Sequence, residues 1–287
     1  MDKKAKIAII GGSGLTGTEL IKILSMHKGA DIKHATSRTY RNKKISDVFK
    51  GLSCNLKFAE SIGTEELKEI DVLFLCLPPQ ESMAYLKEVY AKFDGLVIDV
   101  GSDFRLKDKE EYKKWYGTDH VLPEILKKFV YGIPEINFNN LKKATYIANP
   151  GCYPTSVLLA LYPILDKKIA IKDIIIDSKS GVSGAGRKLK EDYLFINLAE
   201  NFYAYGAGGH RHTGEIEQEI EAAYGKKLKV SFTPHLLPVH RGIFSSIYCR
   251  VEKDYGFSDL YKSYYQDKKF VNIVERIPQI RDVCGTN

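Results

Sequence analysis

The stretch "KIAIIGGSGLTGTELIKIL", residues 6–24, constrains the fold more than any other part of the chain. An apolar run enters a glycine-rich turn, and the turn enters a helical pattern in which Leu20, Ile23 and Leu24 are expected to share one face. A short apolar strand turning sharply into a helix is the opening of a βα unit, and its backbone needs parallel neighbours. The first half of the sequence supplies them. "ADIKHATSR", "DVLFLCLP" and "GLVIDVGSD" read as further strands, and "ESMAYLKEVYAKF" reads as a helix. Near-continuous apolar strands separated by helices predict an α/β fold with a parallel sheet covered on both faces. Right-handed crossovers then make it doubly wound.

The second half is patterned differently. "VLLALYPIL" reads as a helix, "IKDIIIDSKSGVSG" as a strand entering a glycine-rich loop, and "EIEQEIEAAYG" as a helix stopping at Gly225. "KVSFTPHLLPVHRGIFSSIYCRVE" reads as strands around a proline-rich link. Longer strands with fewer helices between them predict an α+β domain. The expected division is a nucleotide-binding domain over 1–146 and a catalytic and dimerisation domain over 147–287.

Composition excludes several function classes. No apolar run reaches the ~18 residues a membrane span needs. The start "MDKKAKIAIIGG" is basic, but its short apolar segment reads as a strand, not a signal peptide. The five cysteines are odd in number, scattered and without a CxxC, which argues against a disulfide framework or a zinc ribbon and for a reducing cytoplasm. The net charge of +7 is spread along the chain without a dense basic block, so no nucleic-acid partner is expected. A mild positive excess suits small anionic ligands such as phosphates.

The turn "GGSGLTG" spans Gly11, Gly12, Ser13, Gly14, Leu15, Thr16 and Gly17, with Gly11, Gly14 and Gly17 in a GxxGxxG spacing. Glycine permits the tight turn and lets backbone N–H groups approach a pyrophosphate. The helix N-terminus adds partial positive charge. Such a turn also forms without a ligand, but here it opens the first βα unit of a Rossmann-like fold, where the mechanism requires it. An NAD site carries Asp or Glu at the end of the second strand. This chain has "TSRTYRNKK" there, with Ser37, Arg38 and Arg41 offering donors and positive charge. NADP, with its anionic 2′-phosphate, is the expected cofactor.

"NPGCYPTS", residues 149–156, holds the cysteine most suited to chemistry. A free thiol has a pKa of ~8.5, and only the thiolate attacks carbonyl carbon well. Cys152 precedes a helix expected to begin near Thr155, whose N–H groups stabilise an anion. Pro150 and Pro154 restrict the backbone around it. Cys76 and Cys249 read as buried structural cysteines. "GGHRHTGE" places His210 and His212 two apart, on one side of an extended segment, with Thr213 as the expected N-cap of the next helix. One reading is an acid/base histidine with a substrate-binding partner. HxH is also a metal-ligand spacing, but no metal is expected, because further ligands of the usual types are not evident nearby. A dinucleotide, an activated cysteine and a histidine base together suit reduction of an acyl phosphate through a thioester.

At this point the sequence resembles the N-acetyl-gamma-glutamyl-phosphate reductase family of arginine biosynthesis, in the semialdehyde dehydrogenase superfamily. The resemblance runs over nearly the whole chain, through "GGSGLTGTEL", "DVLFLCLP", "VIDVGSDFRL", "YGIPEIN", "NPGCYPTS", "SGVSGAGRK", "NFYAYGAGGHRHTGEIEQ" and "FTPHLLPVHRGI". It implies Cys152 as nucleophile, and His210 as general acid/base with His212 as the second candidate. It implies Arg105, Ser180, Gly181, Tyr205, Glu215 and Arg241 around an acyl phosphate substrate, and Pro78, Ser183 and Gly184 beside the NADPH. It also implies a homo-oligomer, a tetramer. Arginine suits a substrate carrying a carboxylate and an acyl phosphate.

Two features depart from the family pattern. The family has proline where Gly214 stands, and it continues several dozen residues past the point where "DVCGTN" ends this sequence. Those residues return to the nucleotide domain and carry a "KGAAGQ"-type stretch near the nicotinamide. Other readings stay open: the same chemistry on aspartyl phosphate or on a carrier-bound aminoadipyl phosphate, or a non-catalytic NADP-binding regulator.

Overall fold

Strand β1 (Ala5–Ile10) buries both faces over the apolar run from Ile7 to Ile10. Ile7 and Ile9 enter one core with Ala35 and Phe58, while Ala8 and Ile10 enter another with Leu73, Leu75 and Val97. In the computed structural model, whose described residues are 3–187 and 189–286, this strand lies inside a six-stranded sheet. The elements of the first half are α1 (Leu15–Met26), β2 (Ala30–Ala35), α2 (Ile45–Val48), α3 (Thr64–Leu67), β3 (Val72–Leu75), α4 (Glu81–Val89), β4 (Leu96–Asp99), α5 (Lys109–Tyr116), β5 (Val130–Tyr131), α6 (Pro134–Leu141) and β6 (Tyr146–Ala148). The strand order is β2-β1-β3-β4-β6-β5 and every pairing is parallel. This is the expected doubly wound sheet.

The buried stripe of α1 differs from expectation. Gly17 and Ile21 are buried, with Leu20 and Leu24 packed at the edges, while Ile23 is 51% exposed. The contact face is centred on residues 17, 21 and 24, spaced i, i+4, i+7, and Ile23 points away from it.

The chain forms two compact units: residues up to 132 together with 139–150, and residues 133–138 together with 151 onward. The second contains α7 (Cys152–Asp166), β7 (Ile171–Gly181), α8 (Phe195–Leu198), β8 (Tyr203–Ala204), α9 (His212–Tyr224), β9 (Ser231–Leu237), β10 (Ile243–Val251) and α10 (Phe257–Tyr265). Its sheet has the order β10-β7-β9-β8, with β7–β9 parallel and the other two pairings antiparallel. That mixed sheet with flanking helices is the expected α+β architecture. Helix α7 packs on α9 and on β10. It buries Tyr153, Val157, Leu158, Leu161, Ile164 and Leu165.

Pro163 lies inside α7, where its missing N–H leaves the Leu159 carbonyl without its i+4 donor. The Tyr265 hydroxyl of α10 donates to that carbonyl instead. An interior proline normally costs ~3 kcal/mol, and the outside donor offsets part of it. Helix α9 ends at Gly225 in the left-handed conformation, φ 81°, as expected. It runs through the buried Gly214 without a break.

Candidate active site

In the first unit the glycine turn is built for close backbone approach. Gly11 has φ +82°, and a Cβ there would lie 2.4 Å from the Cys76 carbonyl oxygen. A Cβ on Gly17 would lie 2.5 Å from the Gly11 oxygen. These two glycines are therefore required by the fold itself. Gly14 is different: its φ is −67°, and a Cβ there would meet nothing nearer than the Gly11 oxygen at 3.5 Å. Gly14 is the N-cap of α1 and supplies no side-chain acceptor, so the N–H groups of Leu15, Thr16 and Gly17 lack a side-chain cap. Helix N–H groups without a side-chain cap fit an anionic phosphate group.

At the end of β2 the Ser37 hydroxyl donates to Ser13 Oγ at 2.7 Å, joining the turn after β2 to the glycine turn. The Arg38 side chain is 77% exposed and pairs with Glu81 at 2.8 Å. In sequence the strand end reads Thr36-Ser37-Arg38, and the carboxylate beside Arg38 is that of Glu81 from α4. Pro78 is exposed in the turn after β3 and accepts the Glu81 N–H on its carbonyl.

The "DFR" segment does structural work that its motif does not announce. Asp103 is fully buried and accepts the backbone N–H of Gln80 at 2.9 Å and of Met83 at 3.1 Å, capping α4 from a distance. Arg105 is 8% exposed, donating from Nε to the Asn149 carbonyl at 2.9 Å and from Nη2 to the Val100 carbonyl at 3.3 Å. It thus braces the ends of β4 and β6. Burial, with the Asp103 charge second, pushes the Asp99 carboxyl up to about 7. Burial, with Asp99 second, pushes the Cys76 thiol up to about 12, so Cys76 stays protonated.

In the second unit the cysteine's helix starts earlier than its sequence suggests. Helix α7 begins at Cys152, not near Thr155, with Gly151 as N-cap. Pro154 sits in the first turn, where its missing N–H costs nothing. The thiol is exposed and occupies the first helical position, closer to the positive end of the dipole than expected. Glu215 Oε1 accepts the Gly151 N–H at 2.7 Å.

Helix α9 likewise begins before its expected start. Its first residue is His212 and its N-cap position is Arg211, so Thr213 is a helical residue and not the cap. His210 and His212 share a side because of that helix start, not through an extended strand. The His212 backbone N–H donates to His210 Nδ1 at 3.1 Å, and the ring centroids are 4.8 Å apart. His212 Nε2 lies against Gly151, 2.5 Å from where a Cβ on that residue would be. Burial, and secondarily the Arg211 charge, lowers His210 to about 4. It is a neutral imidazole whose Nδ1 is an acceptor.

Tyr153 organises the cluster. Its ring lies 5.8 Å from both His210 and His212, and its hydroxyl is 3.0 Å from that of Tyr205. Tyr205 and Phe232 complete the packing around His210 at 5.7 and 5.4 Å. Both phenols are held protonated by burial. Nothing in the sequence pattern singles out Tyr153 or Phe232, because their partners come from remote segments.

Ser180 lies beside the Tyr153 hydroxyl at the end of β7. A Cβ on Gly181 would lie 2.8 Å from the Val239 oxygen and 2.9 Å from the Arg241 nitrogen, so that strand end and the Arg241 loop are in direct contact. Ser183 donates its backbone N–H to the His240 carbonyl at 3.1 Å, and Gly184 follows in the same short turn.

Two family profiles match this chain: the semialdehyde dehydrogenase NAD binding domain over residues 6–144, and the semialdehyde dehydrogenase dimerisation domain over residues 152–287. The N-acetyl-gamma-glutamyl-phosphate reductase of Pelotomaculum thermopropionicum is 43% identical over 290 residues, covering 98% of this chain and 83% of that protein. The one from Aquifex aeolicus is 37% identical, covering 100% and 84%. The chain belongs to the N-acetyl-gamma-glutamyl-phosphate reductase family.

Solved structures agree on the fold. Aspartate semialdehyde dehydrogenase II of Vibrio cholerae, complexed with ASA, matches with a TM-score of 0.73 at 17% identity, over 99% of this chain and 86% of that one. The Candida albicans aspartate semialdehyde dehydrogenase with NADP matches at 0.60 and 16% identity, over 92% and 76%. Of the site residues expected for the reductase family, the second unit brings together Cys152, Tyr205, His210, His212 and Glu215, with Ser180 at their edge. Gly181 and Arg241 meet each other beyond Ser180. Among the described residues no helix is long and apolar enough to cross a membrane.

Proposed function

We propose that this chain reduces N-acetyl-L-glutamyl 5-phosphate to N-acetyl-L-glutamate 5-semialdehyde with NADPH, releasing phosphate, in arginine biosynthesis. One observation carries the mechanism: an exposed cysteine at the first position of α7, with the His212 imidazole seated on the residue before it. His212 takes the thiol proton, and the helix end stabilises the resulting anion. The sulfur attacks the acyl carbon, a C–S bond forms, and the C–O bond to phosphate breaks with phosphate leaving. Bound NADPH supplies the hydride that the thioester carbon accepts. Collapse of the adduct then breaks the C–S bond, releases the aldehyde and returns the sulfur to its place beside the His212 imidazolium. Arg241 provides positive charge near an anionic substrate, and Ser180, Gly181 and Tyr205 shape its surroundings.

His212 carries the acid/base role because its Nε2 is directed at the nucleophile's helix end. His210 accepts the His212 backbone N–H on Nδ1, fixes the start of α9 and stays uncharged. The deciding assay follows NADP reduction in the presence of phosphate with N-acetylglutamate semialdehyde, aspartate semialdehyde and a carrier-bound aminoadipate semialdehyde. The acetylated substrate is expected to be turned over fastest. Equal or faster turnover of either competitor removes this substrate assignment.

The residues of the glycine turn would hold the pyrophosphate of NADP, with Ser37 and Arg38 at the 2′-phosphate. A charge-assisted contact of that kind contributes roughly tenfold to a hundredfold in affinity. Replacing Arg38 with Asp is expected to weaken NADPH binding by about that factor and to leave NADH nearly unchanged, as read by fluorescence titration. Equal losses for the two cofactors would remove Arg38 from the 2′-phosphate site.

A cytoplasmic homotetramer belongs to the same reading. Free cysteines suit a reducing compartment. Phe195 and Ile196 of α8, 86% and 82% exposed, form an apolar surface that a second copy would cover. The double change Phe195→Asp and Ile196→Asp is expected to give a smaller species by light scattering. An unchanged mass would place the interface elsewhere.

A further inference from the structure

Gly151 is glycine for a reason its backbone does not supply. Its φ of −65° and ψ of 154° suit any residue, so no left-handed conformation demands it. The side a Cβ would occupy is filled instead by the His212 ring, with Nε2 at 2.5 Å and Cδ2 and Cε1 both at 2.9 Å. The imidazole sits on the bare Cα. One helical step along, Glu215 shares the face of α9 that carries His212, since residues three apart are neighbours on a helix. Its carboxylate is only 2% exposed, and it accepts the Gly151 N–H at 2.7 Å. Residue 151 is therefore held twice by α9, through its nitrogen and through the face of its Cα.

A carboxylate buried at that point bonds the backbone at the start of α7 and lies in the first turn of α9 itself. Both helix ends favour its negative charge. The resemblance gives Glu215 to the substrate and gives Gly151 no part. We infer that Gly151 and Glu215 are a pair of positioning residues that dock the first turn of α9 on the first turn of α7 and so hold His212 beside the nucleophile. This deepens the function proposed above and rests on His212 serving Cys152.

The test reads Cys152 with and without substrate. Gly151→Ala keeps its backbone conformation, so the conflict falls on the His212 ring. A misplacement of ~1 Å can cost about 10²-fold in rate, and kcat is expected to fall by about that factor with KM little changed. The pH midpoint for iodoacetamide alkylation of Cys152, followed by mass spectrometry of its peptide, is expected to rise towards the ~8.5 of a free thiol. Glu215→Gln keeps an acceptor oxygen and is expected to hold the parent midpoint, whereas Glu215→Ala shifts it upward as Gly151→Ala does. Should Gly151→Ala fail to fold by circular dichroism, the two Glu215 variants carry the decision. Parental kcat and midpoint in Gly151→Ala overturn the proposal. So does a Glu215→Ala variant with a raised KM and an unmoved midpoint, which would return Glu215 to the substrate. Alkylation needs no substrate: midpoints that move as expected in a chain that turns over no acyl phosphate leave the positioning pair standing and remove the function.

Discussion

Cys152→Ala and Cys152→Ser are expected to bind NADPH as the parent does and to lose turnover by on the order of 10⁴-fold or more. The size of the effect follows from the chemistry. A thioester accepts hydride where a carboxylate does not, and Cys152 is the free cysteine that stands beside the histidine cluster. The described geometry leaves no substitute thiol in the machinery. Cys76 is pushed up to about 12 and Cys249 to about 11, both chiefly by burial, so neither is a thiolate near neutral pH. A serine hydroxyl keeps the shape but stays un-ionised beside the same helix end. That helix end is frugal with donors. The Gly151 N–H is taken by Glu215 and Pro154 has none. The check is steady-state NADPH oxidation alongside a cofactor titration. Turnover within tenfold of the parent would end the thioester mechanism.

His212→Asn is expected to lower kcat by about 10²- to 10⁴-fold and to remove any inflection of the pH–rate profile near neutrality. His210→Asn is expected to cost less and to leave that inflection in place. The asymmetry comes from electrostatics. His210 sits among Tyr153, Tyr205, Phe232 and His212, and burial holds it at about 4, against an ordinary value of 6.5. It does not change charge where the enzyme works. Its effect on stability has a definite sign. A base whose folded value is depressed takes up its proton more readily when unfolded, so stability is complete above about 6.5 and is lost as the pH falls towards about 4. An inflection near neutrality that survives His212→Asn and disappears in His210→Asn would reverse the two roles.

The legible parts of this protein are those set by neighbours in sequence. The first βα unit is written in an apolar run, a glycine turn and a helical repeat within twenty residues or so, and the structure has them where the pattern places them. The stop at Gly225 and the strand entering "SGVSG" are local in the same sense. Helix starts were less legible. Gly151 caps α7 with no side-chain bond, and the start of α9 is bonded to a histidine, so neither carries the usual Ser, Thr, Asp or Asn signal. Ile23 falls outside the buried face because the helical repeat admits two adjacent faces and only packing chooses between them.

By itself the sequence determined the layered α/β and α+β architecture and the nucleotide turn, and it singled out Cys152 as the candidate nucleophile. Each depends on the order of residue types along a short span. Tertiary structure alone decided which histidine lies against the first turn of α7, why residue 151 has no side chain, and what Glu215 and Arg105 hold. Those answers depend on distances between segments about sixty and forty residues apart, Gly151 to Glu215 and Arg105 to Asn149. No local preference specifies such distances; the packing of α7 on α9 and the alignment of β4 with β6 do.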